Sequence, residues 1–292
     1  MDKLFSGTGV ALITPFKKDF SIDFDGIEML VNRLINNGIN YIVTLGTTAE
    51  TPSLSFSERK KIVDTVVETV RGRIPVVVGI GANNPLAINE QLHLFDLSKV
   101  SAILSVTPYY NRPQQKGLAA YFKVVAEQSP LPVIIYNVPA RTGVNMEAAT
   151  SLHIAKEIPN VIGIKEASGN MGQIMEIIRH KPKHFLVISG DDAITLPLIA
   201  CGANGVISVI ANAFPKDFSD MVRLALAGNF DQAQKLHYQL LDYMTVCFRD
   251  GTPSGIKAFL QEQHLIDDYL RLPLVPVQDE TRRMIQQLLK TS

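Results

Sequence analysis

The sequence predicts an α/β protein, a closed (β/α)8 TIM barrel followed by a C-terminal helical appendage. Three observations predict it. Eight short runs, apolar on both faces, recur along the first two-thirds of the chain, as expected of parallel strands covered on both sides. Stretches of helical period separate them. After the eighth run only helix-like patterns remain.

The runs are "GVALIT" (9–14), "YIVTLG" (41–46), "PVVVGIG" (75–81), "SAILSV" (101–106), "PVIIYNV" (132–138), "VIGIK" (161–165), "FLVISG" (185–190) and "GVISV" (205–209). The first intervening helix puts Ile27, Leu30, Val31 and Leu34 on one face and stops at Gly38. The second has Ser55 or Ser57 as its cap and Ile62, Val63, Val66, Val67 and Val70 as its core stripe. "DDAITLPLIACG" and "FPKDFSDMVRLALAG" repeat the pattern. Eight such units within about 225 residues favour a closed barrel; an open doubly wound sheet is the alternative. Three further helices are expected over 229–248, 252–265 and 279–290. This divides the chain into a catalytic barrel, 1–227, and a helical region packed on it, 228–292.

The 292 residues are 46% hydrophobic and carry 28 basic and 28 acidic side chains. Such a balance supplies a large core and no surplus charge for nucleic acid or an anionic membrane. Cys201 and Cys247 are expected to be buried and unpaired, which fits a reducing cytoplasm. The first residues lack the charged start and apolar core of a secretory signal, and no run is long enough to span a bilayer. The expected location is cytoplasmic.

Barrels of this kind carry their chemistry at the C-terminal ends of the strands. Those ends read "GTTAE", "GIGANN", "TPYYNRP", "YNVPARTG", Lys165, "SGDD" and "ISVIANA". No carboxylate pair stands out. Glu50, Glu166, Asp191 and Asp192 are present, but each could cap a helix start. The six histidines are scattered, and Pro182 interrupts the His180–His184 spacing, so no metal is expected. "GIGANN" lacks the third glycine of a dinucleotide fingerprint. What remains is one amine among hydroxyls and a guanidinium. A desolvated lysine loses its proton readily and attacks a keto group, giving an iminium that acts as an electron sink. Tyrosine and threonine hydroxyls relay protons, and Arg141 can grip a carboxylate through two parallel bonds. From spacing alone, a structural lysine that merely reaches solvent stays equally open.

The motifs "GTTAE", "TPYYNRP", "YNVPARTG", "GIKEASG" and "SGDD" lie in this order along nearly the whole chain. In them the sequence resembles the dihydrodipicolinate synthase family of the pyruvate-dependent class I aldolase superfamily. The resemblance implies a cytoplasmic lyase. It would condense pyruvate with L-aspartate 4-semialdehyde to 4-hydroxy-tetrahydrodipicolinate, the first committed step of diaminopimelate and lysine biosynthesis. It further implies that Lys165 forms the Schiff base, that Tyr136, Thr47 and Tyr110 relay protons, and that Tyr110 enters from a neighbouring subunit. Thr48, Gly190 and Ile207 would hold pyruvate, and Arg141 the carboxylate of the semialdehyde. No cofactor is implied, because pyruvate bound to Lys165 is substrate. A homotetramer, built as a dimer of dimers, is implied.

Sialate lyases and keto-deoxy-sugar aldolases share the lysine and tyrosine, but the lyases tend to have serine at the Thr47 position and lack the Arg141 equivalent. A barrel that binds without catalysis is the other alternative. The family usually has glycine where Ala49 stands; ordinary torsions are expected there. The positions matching the family's inhibitory lysine site are Phe56, Arg59 and Ala87, which predicts weak lysine inhibition. The Lys165 amine is expected to be desolvated by Val161, Ile162 and Ile164.

Overall fold

The computed structural model describes residues 4–290; the outermost residues of both predicted regions, 1–3 and 291–292, lie outside them. Eight parallel strands close into a barrel in sequential order, with the last paired to the first through Gly7↔Gly205 and Gly9↔Ile207. The strands are β1 (Gly7–Ala11), β2 (Tyr41–Thr44), β3 (Val76–Gly79), β4 (Ala102–Val106), β5 (Val133–Asn137), β6 (Val161–Glu166), β7 (Leu186–Ser189) and β8 (Gly205–Ser208). Each of the eight apolar runs supplies one strand, as the closed-barrel expectation requires. The first is displaced. Pairing with β8 starts at Gly7, and by Thr14 the chain has turned to donate its hydroxyl to the Ala49 carbonyl at 2.9 Å.

Helices α1 (Phe24–Asn36), α2 (Phe56–Val70), α3 (Pro85–Leu92) and α4 (Gln115–Gln128) cover the first half of the barrel. A short α5 (Pro139–Thr142) and then α6 (Ala148–Glu157), α7 (Met171–His180), α8 (Thr195–Ala200) and α9 (Pro215–Leu226) complete the ring. Local chemistry sets their starts. The Asp23 carboxylate accepts the Gly26 amide at the head of α1, and Ser55 and Glu58 form a reciprocal capping box on α2. The predicted stripes of both helices are buried, except Val67, which is only partly so. Helix α8 begins later than its pattern suggests: Asp191 accepts the Ala193 amide in a turn of its own, and Asp192 reaches away to the Val209 and Ile210 amides.

Two apolar layers result. Residues such as Tyr41, Val43, Val77, Leu104, Ile134, Ile188 and Ile207 fill the barrel interior, while a larger set packs between strands and helices. Burying each such side chain contributes roughly 1.5–3 kcal/mol. Beyond the barrel, α10 (Phe230–Arg249), α11 (Ser254–Glu262) and α12 (Asp279–Lys290) pack on one another, and α10 also packs on α9. Cys247 is buried as expected. Cys201 is exposed, because it sits at the open turn that ends α8 and faces out of the core. Among the described residues no helix is long and apolar enough to cross a membrane.

Candidate active site

Lys165 and Tyr136 stand opposite one another on β6 and β5. Simple alternation along β6 from Ile162 would turn Lys165 out of the barrel. The register slips instead: Val133 pairs with Val161, but Ile134 pairs with Gly163. This extra residue in β6 is the physical basis of a β-bulge, a device that re-aims side chains. It brings Lys165 inward, with its Nζ 4.3 Å from the centroid of the Tyr136 ring.

Only Ile162, of the three neighbours expected to desolvate the amine, belongs to the interior cluster; Val161 and Ile164 pack in the outer layer. Tyr136 and Ile188, the register partners of Lys165 in the flanking strands, take their place. Lys165 is only 5% exposed. Burial pushes its amine down to about 8; the Arg141 guanidinium adds to this, and the Asp192 carboxylate opposes it. The Tyr136 hydroxyl is pushed above its ordinary value by burial, while Arg141 and Thr47 pull it back. It therefore remains a protonated donor at neutral pH.

Glycine has a steric purpose at two points. A Cβ on Gly190 would lie 3.1 Å from Cε of Lys165 and 2.7 Å from Cβ of Ala167. One on Gly163 would lie 2.8 Å from Cβ of Leu186.

Thr47 and Thr48 lie on a 3-10 turn, Thr47–Ala49, that follows β2. The turn is bracketed by two left-handed residues, Leu45 at φ 54 and Glu50 at φ 57. Ala49 itself takes ordinary torsions, as expected, so the absence of glycine there costs nothing in backbone strain.

Of the eight expected site residues, Thr47, Thr48, Tyr136, Arg141, Lys165 and Gly190 line one cavity of about 410 Å³. A second cavity of about 510 Å³ shares Thr47, Tyr136 and Arg141 with it and extends to Arg59 and Tyr109. The other two residues stand apart. Ile207 lies in the interior cluster with Tyr136 and Ile188. Tyr110 is 88% exposed, has φ 77, and lines neither cavity.

Glu50, Glu166 and Asp192, expected to cap the helices that follow them, are instead buried and bind elsewhere. The Asp192 Oδ2 accepts the Val209 and Ile210 amides at 3.1 and 2.9 Å, and burial pushes that carboxyl up to about 6. Glu166, next to Lys165, accepts from Asn137 Nδ2 at 3.1 Å and from the Ser168 amide at 2.8 Å. Asn137 in turn accepts the Met146 amide at 3.0 Å, tying the chain beyond Arg141 to the strand end. Glu50 pairs with Lys257 of α11. A lysine inside the apolar stretch "GIKAFL" is the signal that could have exposed that pair.

The fold and cavity together define a class: (β/α)8 barrels that present a buried lysine amine among hydroxyls at the C-terminal face. The chain belongs to the Dihydrodipicolinate synthetase family, whose model matches residues 4–292. It is 51% identical to the 4-hydroxy-tetrahydrodipicolinate synthase of Parabacteroides distasonis, over 97% of this chain and 96% of that one. It is 52% identical to the protein of the same name from Flavobacterium psychrophilum, over 94% of each. A crystal structure of chloride-inhibited dihydrodipicolinate synthase from Acinetobacter baumannii complexed with pyruvate is 38% identical and superposes with a TM-score of 0.94, covering 98% of both chains. The family expected from the five motifs is borne out, and so is the reading of the chain as an enzyme.

Proposed function

We infer that the enzyme condenses pyruvate with L-aspartate 4-semialdehyde to give 4-hydroxy-tetrahydrodipicolinate. The observation that carries this reading is the Lys165 amine, lowered to about 8, at the wall of a cavity that also holds Tyr136, Thr47 and Arg141. The neutral amine adds to the keto carbon of pyruvate, and loss of water leaves an iminium. The methyl carbon then gives up a proton to become an enamine carbon. This carbon attacks the aldehyde and forms the carbon–carbon bond, while the aldehyde oxygen takes a proton. The amine of the semialdehyde displaces Lys165 as the ring closes.

Tyr136 and Thr47 move protons in these steps, with Tyr110 of a second copy completing the relay. Thr48 helps hold the pyruvate carboxylate, Gly190 and Ile207 line the pyruvate pocket, and Arg141 receives the carboxylate of the semialdehyde. The iminium is itself the electron sink, so the reaction calls for no cofactor. The reading includes a homotetramer, a dimer of dimers, which would give the exposed Tyr110 a cavity to enter, and a cytoplasmic enzyme.

The test is condensation of the two substrates, coupled to a reductase that consumes the cyclic product, with N-acetylmannosamine run alongside and Lys165→Ala as control. Turnover of the semialdehyde alone, lost in the control, supports the reading. Turnover of the sugar instead overturns it in favour of a lyase. Light scattering checks the tetramer.

A further inference from the structure

Glu50 and Lys257 are 2% and 0% exposed, and they lie 207 positions apart in sequence. The Lys257 Nζ donates to Glu50 Oε1 at 2.6 Å and to the Tyr269 carbonyl at 2.8 Å, and it lies 4.2 Å from the Phe16 ring centroid. The other Glu50 oxygen accepts the Arg271 amide at 3.0 Å. The Arg271 guanidinium then grips Glu58 through both carboxylate oxygens and donates to the Ser53 carbonyl. None of these groups lines the cavity that holds Lys165.

Glu50 nevertheless follows Thr47, Thr48 and Ala49 directly, and its amide closes their turn onto the Thr47 carbonyl at 3.2 Å. Its left-handed backbone and that of Leu45, at the other end of the turn, are conformations that L-residues hold only where the surroundings over-determine them. The buried ion pair supplies that constraint from the C-terminal helical region.

We propose that Glu50 and Lys257 are positioning residues for the reaction, their buried pair holding the Thr47–Thr48 turn against Lys165 and Tyr136. This rests on the reading above, in which both threonines meet the keto acid. A purely structural pair would stabilise the fold without affecting the rate of correctly folded enzyme. The two roles separate in the double variant. Removing both charges leaves no lone buried ion, so stability recovers relative to either single change. The turn still loses its anchor.

The experiment compares Glu50→Gln, Lys257→Met, the double variant and Glu262→Gln. Glu262 binds Arg282 and Gln286 within the C-terminal region and makes no contact with the turn or with Lys257, so its loss reports on stability alone. Melting temperature, kcat, KM for pyruvate, and hydrogen exchange of the 47–53 amides are measured on the full-length enzyme. Expected is a double variant that melts closer to wild type than Lys257→Met does. Its kcat stays about tenfold or more below wild type, and its 47–53 amides exchange faster. Glu262→Gln keeps the wild-type kcat. A double variant whose kcat recovers with its melting temperature, or whose 47–53 amides stay as protected as in wild type, overturns the proposal. If the wild type condenses neither aldehyde, the functional reading fails; amide exchange, which needs no substrate, still decides whether the pair anchors the turn.

Discussion

Lys165 and Lys257 are two buried lysines in opposite situations. Burial pushes both amines down to about 8, in the second case against the pull of Glu50. Lys257 is sealed: a carboxylate, a carbonyl and an aromatic face surround its ammonium, and it is 0% exposed. Lys165 lines a cavity and faces the Tyr136 ring, and Asp192 acts on it through its field while the Asp192 Oδ2 is engaged by two backbone amides. A lowered pKa is thus not enough to make a nucleophile. The amine also needs room for an electrophile and freedom from a carboxylate that holds its proton. The two sites are also linked, because the partner of the sealed lysine ends the turn that carries Thr47 and Thr48.

The largest effect separates the two chemically. Lys165→Ala should lose more than about a thousandfold in turnover and show no borohydride-trapped pyruvate. Lys257→Met should still trap it, on Lys165. Mass spectrometry of the trapped peptide is the check, and a label on Lys257 would break the comparison.

Stability should move in opposite directions. An unfolded lysine titrates near its ordinary value of 10.5, and burial pushes native Lys165 down to about 8. Below pH 8 both states hold the proton, and the native state carries the full burial cost, about 3 kcal/mol at most. Between pH 8 and 10.5 the unfolded state binds more protons, so stability from this group rises with pH and the cost is gone above that window. Lys165→Met should therefore raise the urea midpoint at pH 7, and the gain should shrink by pH 10. Lys257→Met leaves Glu50 buried without its partner and should cost roughly 3–5 kcal/mol. Midpoints that fall for both variants would mean that packing outweighs charge at Lys165.

A smaller effect lies in the kinetics of imine formation. Only the neutral amine attacks pyruvate, so the trapping rate of the wild type should rise with pH around a midpoint of about 8. A rise centred on the ordinary lysine value would show that the amine is better solvated than its 5% exposure implies.

The two lysines also mark what could be read from the chain. The eight strands were legible because a barrel strand is apolar on both faces, and Lys165 was legible because it ends one of them. Its inward direction was not, since that depends on a register slip between β5 and β6 that no local pattern encodes. The Glu50–Lys257 pair was missed for a similar reason. Its members lie 207 positions apart, and Arg271 comes from a stretch without regular structure between α11 and α12. Tyr110 is legible by motif, yet in a single chain it is exposed and lines neither cavity. Cys201 was misjudged because its apolar neighbours precede it, whereas the turn after α8 opens outward.

The smallest expected effect concerns the second cavity, next to the turn that Glu50 anchors. Of the positions matched to an inhibitory lysine site, Arg59 alone lines it; Phe56 and Ala87 do not, and Phe56 is 58% exposed. The Arg59 guanidinium is fixed there by the Leu54 and Thr51 carbonyls at 3.0 and 2.8 Å, with its carbon 5.2 Å from the Phe56 ring centroid. A lysine ammonium entering this cavity would meet a fixed positive charge, and Ala87 offers no carboxylate to compensate. Free lysine at millimolar concentration should therefore change the condensation rate by less than about twofold. A lysine titration of the coupled assay checks this. Inhibition at micromolar lysine would show that a carboxylate elsewhere receives the amine, and that effector binding can reach Thr47 through the shared wall without help from the Glu50 anchor.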